Sequence, residues 1–160
     1  MKMIEWTDDL SVGVYVIDAD HRFLIKLIQQ FNAAVEAKEK PKKIQRLMDG
    51  FYEYTDFHFL REEILMRACG YEDFEAHHGV HVTISAQMKE ICDNYKAHPT
   101  RALSKETLEF LNVWLTNHIM KTDMAYAESM KGKELEIAEA HSSMLQHHSE
   151  TESAEASDVY

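Results

Sequence analysis

The chain has 160 residues, 45% of them hydrophobic, and a formal net charge of −11 at pH 7. That length supports one domain with a substantial core, and the apolar fraction excludes global disorder. The acidic balance argues against nucleic acid and anionic lipid as partners. Five Gly and two Pro set against nine Met favour helices over strands. Cys69 and Cys92 are the only cysteines, so no disulfide framework is implied and a reducing compartment fits. The N-terminal residues lack the apolar stretch of a secretory signal, and no apolar run is long enough to span a bilayer. The expectation is a cytoplasmic protein with no membrane partner.

Residues 1 to about 18 read as an extended arm with apolar anchors at Trp6, Leu10, Val12, Val14, Val16 and Ile17. Asp18 or Asp20 is placed to cap the first helix. That helix is predicted from about Ala19 to Lys38, because Leu24, Leu27, Ile28, Phe31, Ala34 and Val35 recur at helical spacing. His21 lies one turn before Leu24 on the same stripe and so faces inward. Pro41 suits the first turn of a second helix, predicted from about Lys42 to Ala68 and closed by Gly70. Leu47, Phe51, Tyr54, His58, Glu62 and Leu65 share its stripe. His58 and Glu62 are thus core positions, with Arg61 and Glu63 expected on the solvent side.

A third helix is predicted from about Asp73 to Tyr95. Phe74, His77, His81, Ile84, Met88 and Ile91 share a face, and His78 is rotated off it toward solvent. Gly79 and Val82-Thr83-Ile84 form helix poorly, so something besides propensity should hold this segment. A metal tie between helices would do so. His98 falls in a loop. The fourth helix is predicted from an N-cap at Ser104 to about Lys131, with Leu108, Leu111, Leu115, His118 and Thr122 on its stripe. Asp123 is awkward. Five residues along an ideal helix turn it by roughly 140° from His118, so it reaches the same point only if the helix bends or carries a π-bulge. Beyond Gly132, Glu134 to His148 reads as a poorly packed fifth helix, and Ser149 to Tyr160 as a flexible tail. His141, His147 and His148 belong to that extension and read as solvated.

His21, His58, Glu62, His77, His81 and His118 therefore all fall on inward stripes of four successive amphipathic helices. Long helices with short connections pack antiparallel, and their sites are built from side chains facing the centre. The fold class expected is all-α, an up-down-up-down four-helix bundle. Five imidazoles buried without partners would be costly, and a metal centre satisfies them together. Five His and two carboxylates exceed the needs of a single ion and suit two ions with bridging carboxylates. Ligand type leaves iron, manganese and zinc open.

The order His, His-x-x-x-Glu, His-x-x-x-His, His-x-x-x-x-Asp resembles the hemerythrin family, in particular its bacterial branch, the bacteriohemerythrins. The words around the ligands agree: Trp6, Asp18-Ala19-Asp20-His21, His58-Phe59 with Glu62-Glu63, and Trp114-Leu115 before His118-Ile119. The likeness covers about residues 4 to 130, so residues 1–131 are expected to form the bundle and 132–160 a C-terminal extension outside it.

The resemblance implies a non-haem centre of two iron ions with an oxo or hydroxo bridge, taking dioxygen reversibly as its ligand. Carried over residue by residue, it implies that His77, His81 and His118 bind one ion and His21 and His58 the other, with Glu62 and Asp123 bridging them. It implies an oxygen carrier, store or delivery protein rather than an enzyme, serving an oxygen-consuming protein of unknown identity. The competing readings are an oxygen or redox sensor built on the same site and a di-iron peroxidase or oxidase. Leu24, Leu115 and Ile119 are the candidate walls of a dry pocket.

Overall fold

A computed structural model describes residues 2–157, with side chains through 154. Its regular structure is helical throughout. Helix α1 spans Tyr15–Glu36, α2 Pro41–Cys69, α3 Phe74–Ala97 and α4 Arg101–Asn117. A π-helical turn, His118–Asp123, carries the α4 rod into α5, Met124–Met130. Helix α6, Glu134–Ser157, follows. α1 packs on α2, α2 on α3, α3 on α4, and α4 back on α1. This closes an antiparallel up-down-up-down four-helix bundle, as the periodicity predicts.

The helix ends follow local chemistry, and several differ from the sequence expectation. Helix α1 starts four residues early. Gly13 takes the left-handed conformation at φ 77°, where a side chain would be strained. The Asp18 carboxylate then reaches back, accepting from the Val12 amide at 2.9 Å and from Ser11 Oγ. Asp18 is thus not the residue before the helix but a buried brace inside its first turn. Asp20 does not cap the helix either, and its partners are given below. Gly70, at φ 70°, ends α2 in a Schellman motif, with its amide bonded to Arg67 O and that of Tyr71 to Met66 O. Thr100, rather than Ser104, caps α4, its Oγ1 accepting from the Leu103 amide at 3.1 Å. Ser104 is buried one turn inside.

The N-terminal arm is tied down by its backbone. The Ile4 amide donates to Asn112 Oδ1 at 2.7 Å, and Gln29 Nε2 donates to Ile4 O. The arm thereby bridges α1 and α4.

Most of the buried apolar side chains form two clusters. One holds Leu24, Ile28, Phe31, Phe51, Met88, Leu111, Leu115 and Ile119. The other holds Val12, Ile17, Leu65, Met66, Phe74, Tyr126 and Met130. Each rod passes from one cluster to the other, and the polar core residues sit at the crossing. His21 falls between Ile17 and Leu24, His58 and Glu62 between Phe51 and Leu65, His77 and His81 between Phe74 and Met88, and His118 and Asp123 between Leu115 and Tyr126. A polar layer is thus held between two apolar ones.

The C-terminal part departs from expectation. The helix does not stop near His148 but runs on to Ser157, and it packs along α2. Met144 is buried, and Ile137 and Ala140 pack against the second apolar cluster. Residues 149–157, expected to be flexible, continue that helix, and 158–160 lie outside the described residues.

Candidate metal centre

Glu62 and Asp123 are wholly buried, and His21, His58, His77, His81 and His118 are each at most 4% exposed. All five imidazoles turn Nε2 toward the two carboxylates. His21 Nε2 lies 3.2 Å from Asp123 Oδ2 and 3.7 Å from Glu62 Oε1. His58 Nε2 lies 3.5 Å, and His81 Nε2 3.2 Å, from Glu62 Oε2. His77 and His118 present Nε2 at 3.3 and 3.1 Å from Asp123 Oδ1.

The donors divide into two overlapping groups, each with ligand atoms within 4.8 Å of one another. One comprises Glu62, His77, His81, His118 and Asp123, the other His21, His58, Glu62 and Asp123. Both carboxylates belong to both groups. The structure therefore brings together all seven residues that the sequence singles out. His98, His141, His147 and His148 join neither group.

Asp123 reaches the layer through the π turn, whose i→i+5 widening offsets the rotation that a regular helix would impose over five residues. The bulge that the spacing requires is present where it is required.

The hydrogen-bond accounting tests whether a cation fits. Among the described residues, both ring nitrogens of His21, Nε2 of His58 and His118, Glu62 Oε2 and both Asp123 oxygens are buried without a hydrogen-bond partner. Nε2 of His77 faces Nε2 of His81 at 3.0 Å, an arrangement of two lone-pair sites that a cation between them would satisfy. Buried polar atoms are ordinarily paired, and orphans concentrated in one spot fit a metal with mixed nitrogen and oxygen donors.

The same contacts set the protonation of the cluster. Burial disfavours the charged form of His21, yet its contacts with Asp123 and Glu62 raise its pKa to about 9. Burial likewise opposes the His118 charge, and Asp123 overcomes it. Burial would raise Glu62, as would Asp123 beside it, but His58, His21 and His81 bring it below the usual carboxylate range. Asp123, held by His118, His21 and His77 against the same burial, also lies well below that range.

A second set of residues orients the first. Asp20 Oδ2 lies 3.1 Å from His58 Nδ1, while its Oδ1 accepts from Tyr54 Oη at 2.6 Å and Arg61 Nη1 at 3.0 Å. Glu63 Oε1 lies 2.9 Å from His81 Nδ1 and 2.9 Å from His78 Nδ1. A carboxylate behind an imidazole fixes the proton on Nδ1 and turns Nε2 inward. Arg61 and Glu63 are therefore not solvent-facing, as their stripe positions suggest. Each lies half-buried and bonds to a neighbour across a helix interface. Tyr126 donates its hydroxyl to Glu62 Oε1. Phe59 stacks on His81 with centroids 3.8 Å apart, and Trp114 lies 5.2 Å from His118. Sequence reasoning missed these roles of Asp20, Glu63 and Tyr126, because each pairs across helices where no single-helix period registers it. Adjacency to His21 and Glu62 was the one available signal for the first two.

The fold and this layer define a helical bundle that gathers a cation-binding cluster of histidines and carboxylates at its centre. Residues 12–129 match the Hemerythrin HHE cation binding domain, and the chain belongs to the hemerythrin family. A bacteriohemerythrin of Stenotrophomonas maltophilia (strain R551-3) is 32% identical over 143 residues, covering 89% of this chain and 92% of its own. A bacteriohemerythrin of Pseudomonas aeruginosa (strain LESB58) is 30% identical over 131 residues, covering 82% and 84%. A crystal structure of wild-type hemerythrin matches with a TM-score of 0.75 at 24% identity, over 82% of this chain and all of that one. Among the described residues, no helix is long and apolar enough to cross a membrane.

Proposed function

We propose that this chain binds dioxygen reversibly at a centre of two iron ions and serves as an oxygen carrier or store. In this reading residues 1–131 are the metal-binding unit and 132–160 an extension of it. The observation that carries it is the division of the buried donors into two groups that share Glu62 and Asp123. His77, His81 and His118 would hold one ion and His21 and His58 the other, with Glu62 and Asp123, common to both groups, available to both. The second group offers one imidazole fewer, which leaves room at that ion for an external ligand.

When bound, the iron pair supplies the electrons that make oxygen binding reversible. The protein's own residues set the conditions. Asp20 and Glu63 hold His58 and His81 in one tautomer, and Tyr126 fixes the orientation of Glu62. Leu24, Leu115 and Ile119, each at most 1% exposed, place hydrocarbon on one side of the layer and exclude water from it. Neutral imidazoles in place of further carboxylates keep the site's anionic charge low.

The test is an anaerobic titration. The chain is loaded with iron, metal per chain is counted, the centre is reduced, and air is admitted while the visible spectrum is recorded. Two irons per chain and a charge-transfer band that rises with air and fades under vacuum support the carrier. Two irons with prompt, irreversible oxidation speak for a sensor or an oxidase instead. A single ion, or zinc alone, overturns the di-iron reading. The sensor is the second reading, in which α6, seated on α2 beyond the family domain, would carry the signal.

A further inference from the structure

Helix α6 lies beyond the stretch that matches the family domain, yet it is seated on α2. Its inner stripe is thin. Ile137, Ala140 and Met144 are the apolar members. Lys133 adds a hydrogen bond from Nζ to Cys69 O, and the His148 ring packs 5.4 Å from Phe57. The Arg61 guanidinium lies 4.9 Å from the same Phe57 ring. Phe57 and Arg61 thus form part of the floor beneath α6. Burial first, and then the Arg61 charge, depress the affinity of His141 for a proton, with Asp20 opposing. Arg61 Nε and His141 Nε2 are both buried without a hydrogen-bond partner among the described residues.

On its other side Arg61 is bonded to Asp20, and Asp20 to His58. We propose that Arg61 is a positioning residue that couples the seating of α6 to occupancy of the metal centre. The inference rests on the reading of His58 as a metal ligand. An ion on Nε2 fixes the His58 ring and commits Nδ1–H to Asp20. Asp20, so oriented, holds Arg61 against Phe57, and the floor under α6 is set. With no ion the ring is held through Nδ1 alone, Asp20 has a less fixed donor, and Arg61 is less firmly held. A helix anchored by so few apolar side chains has low local stability, and a small change beneath it shifts the balance between seated and released.

The test uses hydrogen exchange in the full chain, with and without anaerobic ferrous iron. Iron is expected to raise the protection of α6 amides by at least about fivefold, the low end of typical coupling between sites. In Arg61→Gln the gain in α6 should vanish, while the gain around His21 in α1 persists. Iron uptake with unchanged α6 protection overturns the inference, as does an equal gain in Arg61→Gln. Failure to take up iron at all overturns the site reading instead. Coupling is reciprocal in affinity, so Met144→Glu, which unseats α6 without touching Arg61, should weaken iron binding at least about fivefold in equilibrium competition with a chelator. An unchanged affinity overturns the inference even if Arg61→Gln does not fold.

Discussion

His118 Nε2 lies 3.1 Å from Asp123 Oδ1 although five residues separate them on one rod. The π turn makes that contact by accommodating one residue more than an α-helix would. Deleting the exposed Lys121 should therefore relax the turn to an α-helix, bring the pair to i,i+4, and leave Tyr126 and Met130 on their present faces. Metal content is expected to survive. Inserting one Ala after Lys121 should turn the carboxylate away and lose metal. Metal analysis of the two variants decides the matter, and retention in the insertion would show that Asp123 does not hold an ion.

Glu62→Ala and Asp123→Ala should each lose one or both ions. Anything that binds only the folded state stabilises it, by about 2.7 kcal/mol at a hundredfold excess over Kd. Both variants should therefore melt well below the loaded wild-type chain and lose most of their response to added iron. If metal content and melting temperature match wild type in both, the bridging assignment is wrong.

Tyr126→Phe separates the orienting role from the ligating one. It removes the hydrogen bond to Glu62, an interaction with a charged acceptor worth about 1.5–3 kcal/mol. Denaturant unfolding should register that loss while metal per chain stays at the wild-type value. Loss of an ion would move Tyr126 from bracing the site to completing it.

The proton on His21 gives a pH dependence. Its pKa in the folded chain is about 9 against an ordinary 6.5. The stabilisation it provides is complete below 6.5 and disappears as pH rises through 9. An incoming ion must displace that proton, so metal uptake at pH 7 should release it, and affinity should climb with pH up to about 9. Calorimetry in buffers of differing ionisation enthalpy counts the protons. No release at pH 7 would show that His21 is already neutral.

His78 is the control. It lies near the ligands in sequence but is rotated outward to Glu63 and stacked on Phe74. His78→Ala should leave metal content unchanged, since the imidazole belongs to neither donor group.

The bundle and its seven central residues are legible in the sequence because a helix's own period decides which side chains face inward. His21, His58, Glu62, His77, His81 and His118 follow that period. Asp123 departs from it by one residue, so the sequence states a condition and the π turn meets it. Arg61 and Glu63 show the limit. A stripe reports direction within one helix, and both side chains bend across an interface to partners on another. The start of α1 was misplaced because Asp18 braces the turn from inside, which looks in sequence like a cap. Helix α6 was underestimated because three modest apolar anchors leave almost no periodic signal.

Helix α3 has a consequence for traffic in and out of the bundle. Between Phe74 and Met88 its only buried side chains are His77 and His81. Its middle turns also contain Gly79 and the exposed Val82 and Thr83, which form helix reluctantly. The rod is fastened by hydrocarbon at its ends and by imidazole at its waist. Ile84 and a hydrogen bond from Ser85 Oγ to Asp56 add to the hold there; an ion that joins those imidazoles to the rest of the layer would latch the waist further, and its departure would loosen it. Opening of α3 at its waist is then a route by which a captured ion would leave, distinct from the grip of its ligands.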